Sequence, residues 1–129
     1  MLAMPEPVAH WHAIARSRDP GRLAELLADE IVFRSPAVHT PQAGRALAIA
    51  YLSAAITVLG PTLRYRREWY GSQNAVLEFE AEIDGLTLHG IDMLEWNAEG
   101  KLVEFTVMVR PIKALHHLVT LMAAQLAGQ

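Results

Sequence analysis

The chain has no cysteine, so disulfides and thiolate metal sites are unavailable to it. That absence is compatible with a reducing compartment, and the cytoplasm is the expected location. It has no excess of positive charge. A net charge of -3 argues against nucleic acid as a partner, because nucleic-acid binding needs a basic footprint. It has no run of eighteen or more apolar residues, so no membrane span is expected. The opening "MLAMPEPVAHWHA" lacks a basic segment followed by an apolar core, so a secretory leader is not expected either. No HExxH or comparable spacing occurs. His10 and His12 are two apart on a helix and do not share a face, and His116 and His117 diverge likewise. A metal is therefore not expected, and neither is any other cofactor. No glycine-rich loop joins a strand to a helix, so phosphate binding has no support.

What is present is a folding chain of ordinary domain size. At 129 residues, 52% hydrophobic and 19% charged, it predicts a single domain over residues 1–129 with a real core. Residues 5–18 read as a first helix, with Val8, Trp11, Ile14 and Ala15 on one side. "RDPGRLAELLADE" reads as a second, with Asp19 as N-cap and Pro20 at the first helical position. "EIVFRSP" is a short strand stopped by Pro36, and "AVHTPQAG" a loop. "RALAIAYLSAAITVLGP" is a third helix, apolar nearly all round and so expected to be covered on most sides.

After Gly60-Pro61 the period changes. "TLRYRREWYG", "AVLEFEAEID", "GLTLHGIDMLEW" and "KLVEFTVMVR" alternate at period two, joined by short turn sequences, and predict an antiparallel meander. From Pro111 a helical stripe returns with Leu115, Leu118, Val119, Met122 and Leu126. Helices ahead of an antiparallel sheet predict an α+β fold.

Strand parity then isolates one residue. Leu86, Leu88, Gly90, Asp92, Leu94 and Trp96 share a face that is apolar except for Asp92. A buried ionised carboxylate is costly unless paired or hydrogen-bonded. Two readings stay open: a polar atom at the edge of a cavity beside the missing side chain of Gly90, or a core aspartate satisfied by a nearby amide or hydroxyl. Glu78, Glu80 and Glu82 read as the outer face, pairing with Arg64 and Arg66.

The order of elements resembles the nuclear transport factor 2-like fold, a curved sheet wrapped as a cone around three N-terminal helices, with an internal pocket and here a C-terminal helix. Within it the chain resembles the SnoaL-like and ketosteroid-isomerase-like branch. "LLADEIVFRSP" at residues 26–36 and "GIDMLEWNAEGKLVEFTVMVRP" at residues 90–111 carry the likeness. The resemblance implies a small-molecule site but not one activity, because such folds host isomerases, cyclases, dehydratases, epoxide hydrolases and binding domains. It implies that Asp92 matches the isomerase aspartate that stays protonated and donates to a substrate oxyanion. It also implies gaps. Ser35 stands where the isomerases carry the aspartate base, and Trp11 where they carry a tyrosine. Two of three isomerase parts are therefore missing, and steroid isomerisation is not the expected activity.

The expected ligand is a small hydrophobic molecule, cyclic ones included. It would be lined by Trp11, Phe33, Ser35, His39, Tyr51, Trp69, Phe79, Trp96, Phe105 and Val107. If Tyr65, Arg67 and Trp69 point inward, Arg67 could meet Asp92 and hold it ionised; a bulge would turn Arg67 outward. The alternatives are a lyase, isomerase or hydrolase using Asp92 as acid, base or donor, and a structural domain whose large side chains fill the cone. Ile91, Met93, Thr106 and Met108 make the outer face half apolar, which predicts a homodimer through it.

Overall fold

The computed structural model describes residues 3–128; Met1, Leu2 and Gln129, the ends of the predicted domain span, lie outside the described residues. The helices are α1 (Glu6–Ser17), α2 (Leu23–Leu26), α3 (Arg45–Leu59) and α4 (Ile112–Ala127). The strands are β1 (Leu27–Arg34), β2 (Gln42–Ala43), β3 (Arg64–Tyr70), β4 (Asn74–Ile83), β5 (Leu86–Trp96) and β6 (Leu102–Arg110). They form one curved, open sheet in the order β2-β1-β6-β5-β4-β3. The α+β cone implied by the resemblance is the observed fold.

Two local expectations are corrected. The second helix does not run to Glu30. Asp19 caps a 3-10 turn at Pro20–Arg22, its carboxylate accepting from the Gly21 amide at 3.1 Å, and one helical turn follows. The strand starts at Leu27 because β6 offers it a partner, and that pairing outweighs the helix propensity of "LLADE". The sheet is also mixed rather than wholly antiparallel: β3 to β6 form the predicted meander, while β1 pairs with β6 in parallel.

The parity of β4 and β5 holds. Ala75, Leu77, Phe79, Ala81 and Ile83 are buried on one side, opposite Leu88, Gly90, Asp92 and Leu94 of β5. This inner face meets two sets of helices. α1, α2 and α3 cover one end with Val8, Trp11, Ile14, Leu23, Leu26 and Leu52. α4 covers the other, where Ala114 and Leu118 pack with Phe79, Ala81, Ile83 and Leu88. Of the predicted stripe of α4, Leu118 and Met122 pack in this cluster, joined by Ala114 and Leu121, while Leu115, Val119 and Leu126 stay half-buried outside it. α3 is less enclosed than its composition suggests, since Leu47 remains exposed.

Candidate functional site

Asp92 sits in the middle of β5, between Leu77 of β4 and Val107 of β6. It is 5% exposed. Tyr65 of β3, two strands away, meets it. The Tyr65 hydroxyl lies 2.5 Å from Oδ2 of Asp92, a short bond, and accepts the Trp11 Nε1–H at 2.8 Å. Trp11 is fixed in turn by Phe105, whose ring meets it edge to face at 4.8 Å. One helix and three strands thus converge on a chain of three polar groups inside an apolar shell.

The electrostatics follow from that shell. Burial raises the Asp92 carboxyl from its ordinary value to about 7, and the Tyr65 hydrogen bond pulls the other way. Burial also holds the Tyr65 hydroxyl well above its ordinary value, reinforced by the Asp92 charge beside it. Near neutrality Asp92 therefore exchanges one proton while Tyr65 keeps its own. When Asp92 is ionised, Tyr65 donates to it. When Asp92 is protonated, it donates to Tyr65. The two lone pairs of the Tyr65 oxygen would then be taken by Trp11 and Asp92, which would leave the Tyr65 proton for another acceptor.

The sequence-predicted residues divide into three groups. Trp11, Phe33, Phe79, Phe105 and Trp96 are buried in the core, with Tyr51 and Val107 packed against it. They lie on the inner side as expected, but they touch one another instead of lining an open chamber. Tyr51 stacks on Phe33 at 5.7 Å, and Phe33 lies 6.1 Å from Phe105. Gly90 marks no gap either. A Cβ there would strike the Met108 carbonyl and come within 2.6 Å of the Phe79 ring. Phe79 occupies the room that the missing side chain leaves.

Ser35 and His39 lie beyond the end of β1. The Ser35 hydroxyl accepts the Ala37 amide at 3.0 Å, and His39 is exposed.

Arg67 and Trp69 form the third group, and their inward placement is corrected. The β3–β4 register shifts between Tyr65 and Glu68. That bulge turns Arg67 and Trp69 to the outer face. Arg67 pairs there with Glu78, Nε to Oε1 at 2.5 Å and Nη2 to Oε2 at 2.9 Å, and stacks over Trp69 at 5.5 Å. Among the described residues no cation meets Asp92, and Arg67 does not pair with it. Arg66 pairs with Glu80 as the outer-face reading expected.

A cleft of about 420 Å³ between α1, the end of α3 and β3 has Tyr65, the partner of Asp92, in its wall with His12, Glu68, Leu63 and Arg16. Asp92 is not in this wall, nor in those of three other clefts on the surface. Tyr65 stands between the carboxylate and the cleft. A larger cleft, about 610 Å³, lies on the outer face between Trp69, Val76, Met93 and Thr106.

Tyr65, His12 and Glu68 went unrecognised as site residues in the sequence. "RYRREWY" mixes charge and aromatic at every position, so its parity is ambiguous. The fixed parity of Phe79, which pairs with Tyr65, is the one signal that places the tyrosine inside. Among the described residues no group of three or more His, Asp or Glu is placed to hold a metal ion, and no helix is long and apolar enough to cross a membrane.

The profile of the SnoaL-like domain family matches residues 8–105. A crystal structure described as a steroid delta-isomerase from Pseudomonas aeruginosa superimposes with a TM-score of 0.91 at 34% identity, covering 99% of this chain and 97% of that one. A Silicibacter pomeroyi protein with a cystatin-like fold does so with a TM-score of 0.88 at 27% identity, covering 95% and 86%. The epoxide hydrolase/cyclase-like enzyme SalBIII, at 17% identity, shares the fold with a TM-score of 0.68, covering 81% and 88%. No match was found among curated proteins.

Proposed function

The chain belongs to the SnoaL-like domain family, and from that premise we propose that it binds a small apolar molecule carrying a polar oxygen, and presents Tyr65, backed by Asp92 and Trp11, as the donor to that oxygen. The observation that carries this reading is Tyr65, whose hydroxyl is held by a donor at 2.8 Å and a carboxyl at 2.5 Å and which itself stands in the wall of a cleft. A carboxyl poised near neutrality supplies a strong donor without the cost of a buried charge. The neighbour described as a steroid delta-isomerase supports an apolar, cyclic ligand. Steroid isomerisation is not carried over to this chain, because Ser35 and Trp11 replace two of the groups that the family resemblance associates with it. Tyr65 supplies from the sheet the hydroxyl that Trp11 cannot supply from α1.

The test is the affinity for a fused-ring ketone, 2-tetralone, with Tyr65→Phe beside the unsubstituted protein. Loss of one hydrogen bond to the ligand costs about 1.4 kcal/mol, roughly tenfold in Kd. Equal affinity of the two proteins counts against the reading. A filled, structural cone is the competing reading, favoured by the contact of Phe33, Phe105 and Trp11 below the hydroxyl. It requires Tyr65→Phe to lower the melting temperature and leave binding absent in both. The expected homodimer belongs to the same proposal. Exposed Trp69 and Met108 on the outer face, each 52% accessible, support it, and a monomeric mass at micromolar concentration would refute it.

A further inference from the structure

We infer that Arg16 is an anion-binding residue of the cleft that Tyr65 walls, and that the ligand of this cleft is an apolar acid whose carboxylate lies against that guanidinium. The inference rests on the ligand-binding reading above and adds to it a second polar group on the ligand.

Besides Tyr65, three ionisable side chains stand in the wall: His12, Arg16 and Glu68. Two of them are engaged with each other. His12 Nε2 lies 2.6 Å from Oε2 of Glu68, and both side chains are largely covered, at 12% and 15% exposure. The Tyr70 hydroxyl donates to the other oxygen of Glu68 at 2.6 Å. Arg16 is exposed. The arginine ion pairs among the described residues are Arg34–Glu104, Arg45–Asp29, Arg66–Glu80 and Arg67–Glu78, and none includes Arg16. The cleft therefore offers one uncommitted charge, and its sign is positive.

Arg16 is not committed to its own helix either. An arginine in the last turn can hold the final carbonyls, but those of α1 have other donors. The Ser17 hydroxyl donates to the Ile14 carbonyl at 3.0 Å, and the Arg18 amide to the Ala15 carbonyl at 3.3 Å. Asp19, the nearest acid along the chain, accepts the Gly21 amide at 3.1 Å.

Its place on α1 sets what Arg16 can reach. It follows His12 by four residues, so the two project from one face of the helix, one turn or about 5.4 Å apart. The His12 ring meets the Tyr65 ring edge to face at 4.7 Å. Arg16 thus stands one turn beyond the side chain that touches Tyr65. The rest of the wall is Met4, Ala15, Gly60 and Leu63, which carry no charge. At Gly60 a Cβ would come within 2.8 Å of the Arg18 stem. That stem lies against the wall residue and brings a second exposed arginine to the same cleft.

A carboxylate matches the planar fork of a guanidinium with two parallel hydrogen bonds. The ligand class is a small apolar ring with a polar oxygen at one end, for Tyr65, and a carboxylate at the other, for Arg16. A cleft of about 420 Å³ has room for a bicyclic acid.

The experiment compares Kd values for 2-tetralone-6-carboxylate, its methyl ester and 2-tetralone itself. An exposed ion pair contributes up to about fivefold. The carboxylate should bind about fivefold tighter than the ester in low salt, and no tighter in 1 M salt. Arg16→Gln should remove that preference, and Arg16→Lys should restore part of it, because the charge returns without the fork. Arg66→Gln on the outer face should leave the preference intact. A carboxylate that binds no tighter than its ester, with 2-tetralone bound, would overturn the inference and leave the ligand-binding reading standing. A preference that survives in Arg16→Gln would overturn the assignment to Arg16 in the same way. Failure of all three compounds to bind would overturn both.

Discussion

Asp92 and Glu78 are both buried acids on adjacent strands, 5% and 6% exposed, and they sit one residue apart in the β4–β5 register on opposite faces of the sheet. Their chemistry is opposite. Asp92 has a neutral tyrosine as its partner, and burial lifts its carboxyl to about 7. Glu78 has Arg67 on both its oxygens and His89 Nε2 at 2.7 Å, and its carboxyl falls to about 2, chiefly through the Arg67 hydrogen bonds and then the His89 one. Glu78 has the Arg67 guanidinium as its counter-charge and His89 as a second polar contact. The covering of Asp92 is hydrocarbon. Burial alone therefore does not raise a carboxyl; burial without a counter-charge does. The outer acid builds the surface of the sheet, whereas the inner one is kept poised.

The largest expected difference between the two is in how stability responds to pH. The folded Asp92 holds its proton between its ordinary value of 3.8 and about 7, while the unfolded chain has released it. Its contribution is therefore full below pH 4 and is lost as pH rises through 7. Raising the carboxyl from 3.8 to about 7 corresponds to about 4 kcal/mol. Asp92→Asn cannot ionise, so relative to the unsubstituted protein it should gain up to about 4 kcal/mol between pH 4 and pH 8 in urea unfolding. An equal stability difference at both pH values would contradict the unpaired burial of Asp92. The matched change Glu78→Gln should run the other way, and by less. A lowered carboxyl contributes stability above 4.5 that disappears as pH falls through about 2. Glu78→Gln should therefore destabilise at pH 7, and by less in 1 M salt, because its partner Arg67 is 71% exposed. A loss that salt leaves intact would mean that packing, not charge, holds Glu78.

The contrast also marks how far the sequence could be read. The parity of β4 and β5 is clean because apolar residues alternate without a break from Ala75 to Ile83, and it placed Asp92 inside and Glu78 outside. The family was legible for the same reason, since its two characteristic stretches lie in β1 and in β5–β6. The partner of Asp92 was not legible. It depends on a bulge after Tyr65, and a bulge is set by strand pairing rather than by the residues that form it. The same single-residue slip sent Arg67 to Glu78 and brought Glu68 to His12. The early end of α2 had a similar cause, because β6 claims Leu27 onward as a strand. The filled interior was illegible too. Composition shows that Phe33, Phe79 and Phe105 lie inside, but not that their rings close on one another.

The central claim is that Asp92 is a buried carboxyl without a counter-charge among the described residues, poised near neutrality to exchange its own proton while hydrogen-bonded to Tyr65. It is tested most directly by titrating the side-chain carboxyl carbon of Asp92 by ¹³C NMR in aspartate-labelled protein, with Asp92→Asn to assign the resonance. A midpoint near 7, moving further up in Tyr65→Phe as the hydrogen bond that lowers it is lost, is the predicted result. A midpoint near 4, the range of an ordinary solvated or paired aspartate, would contradict the account.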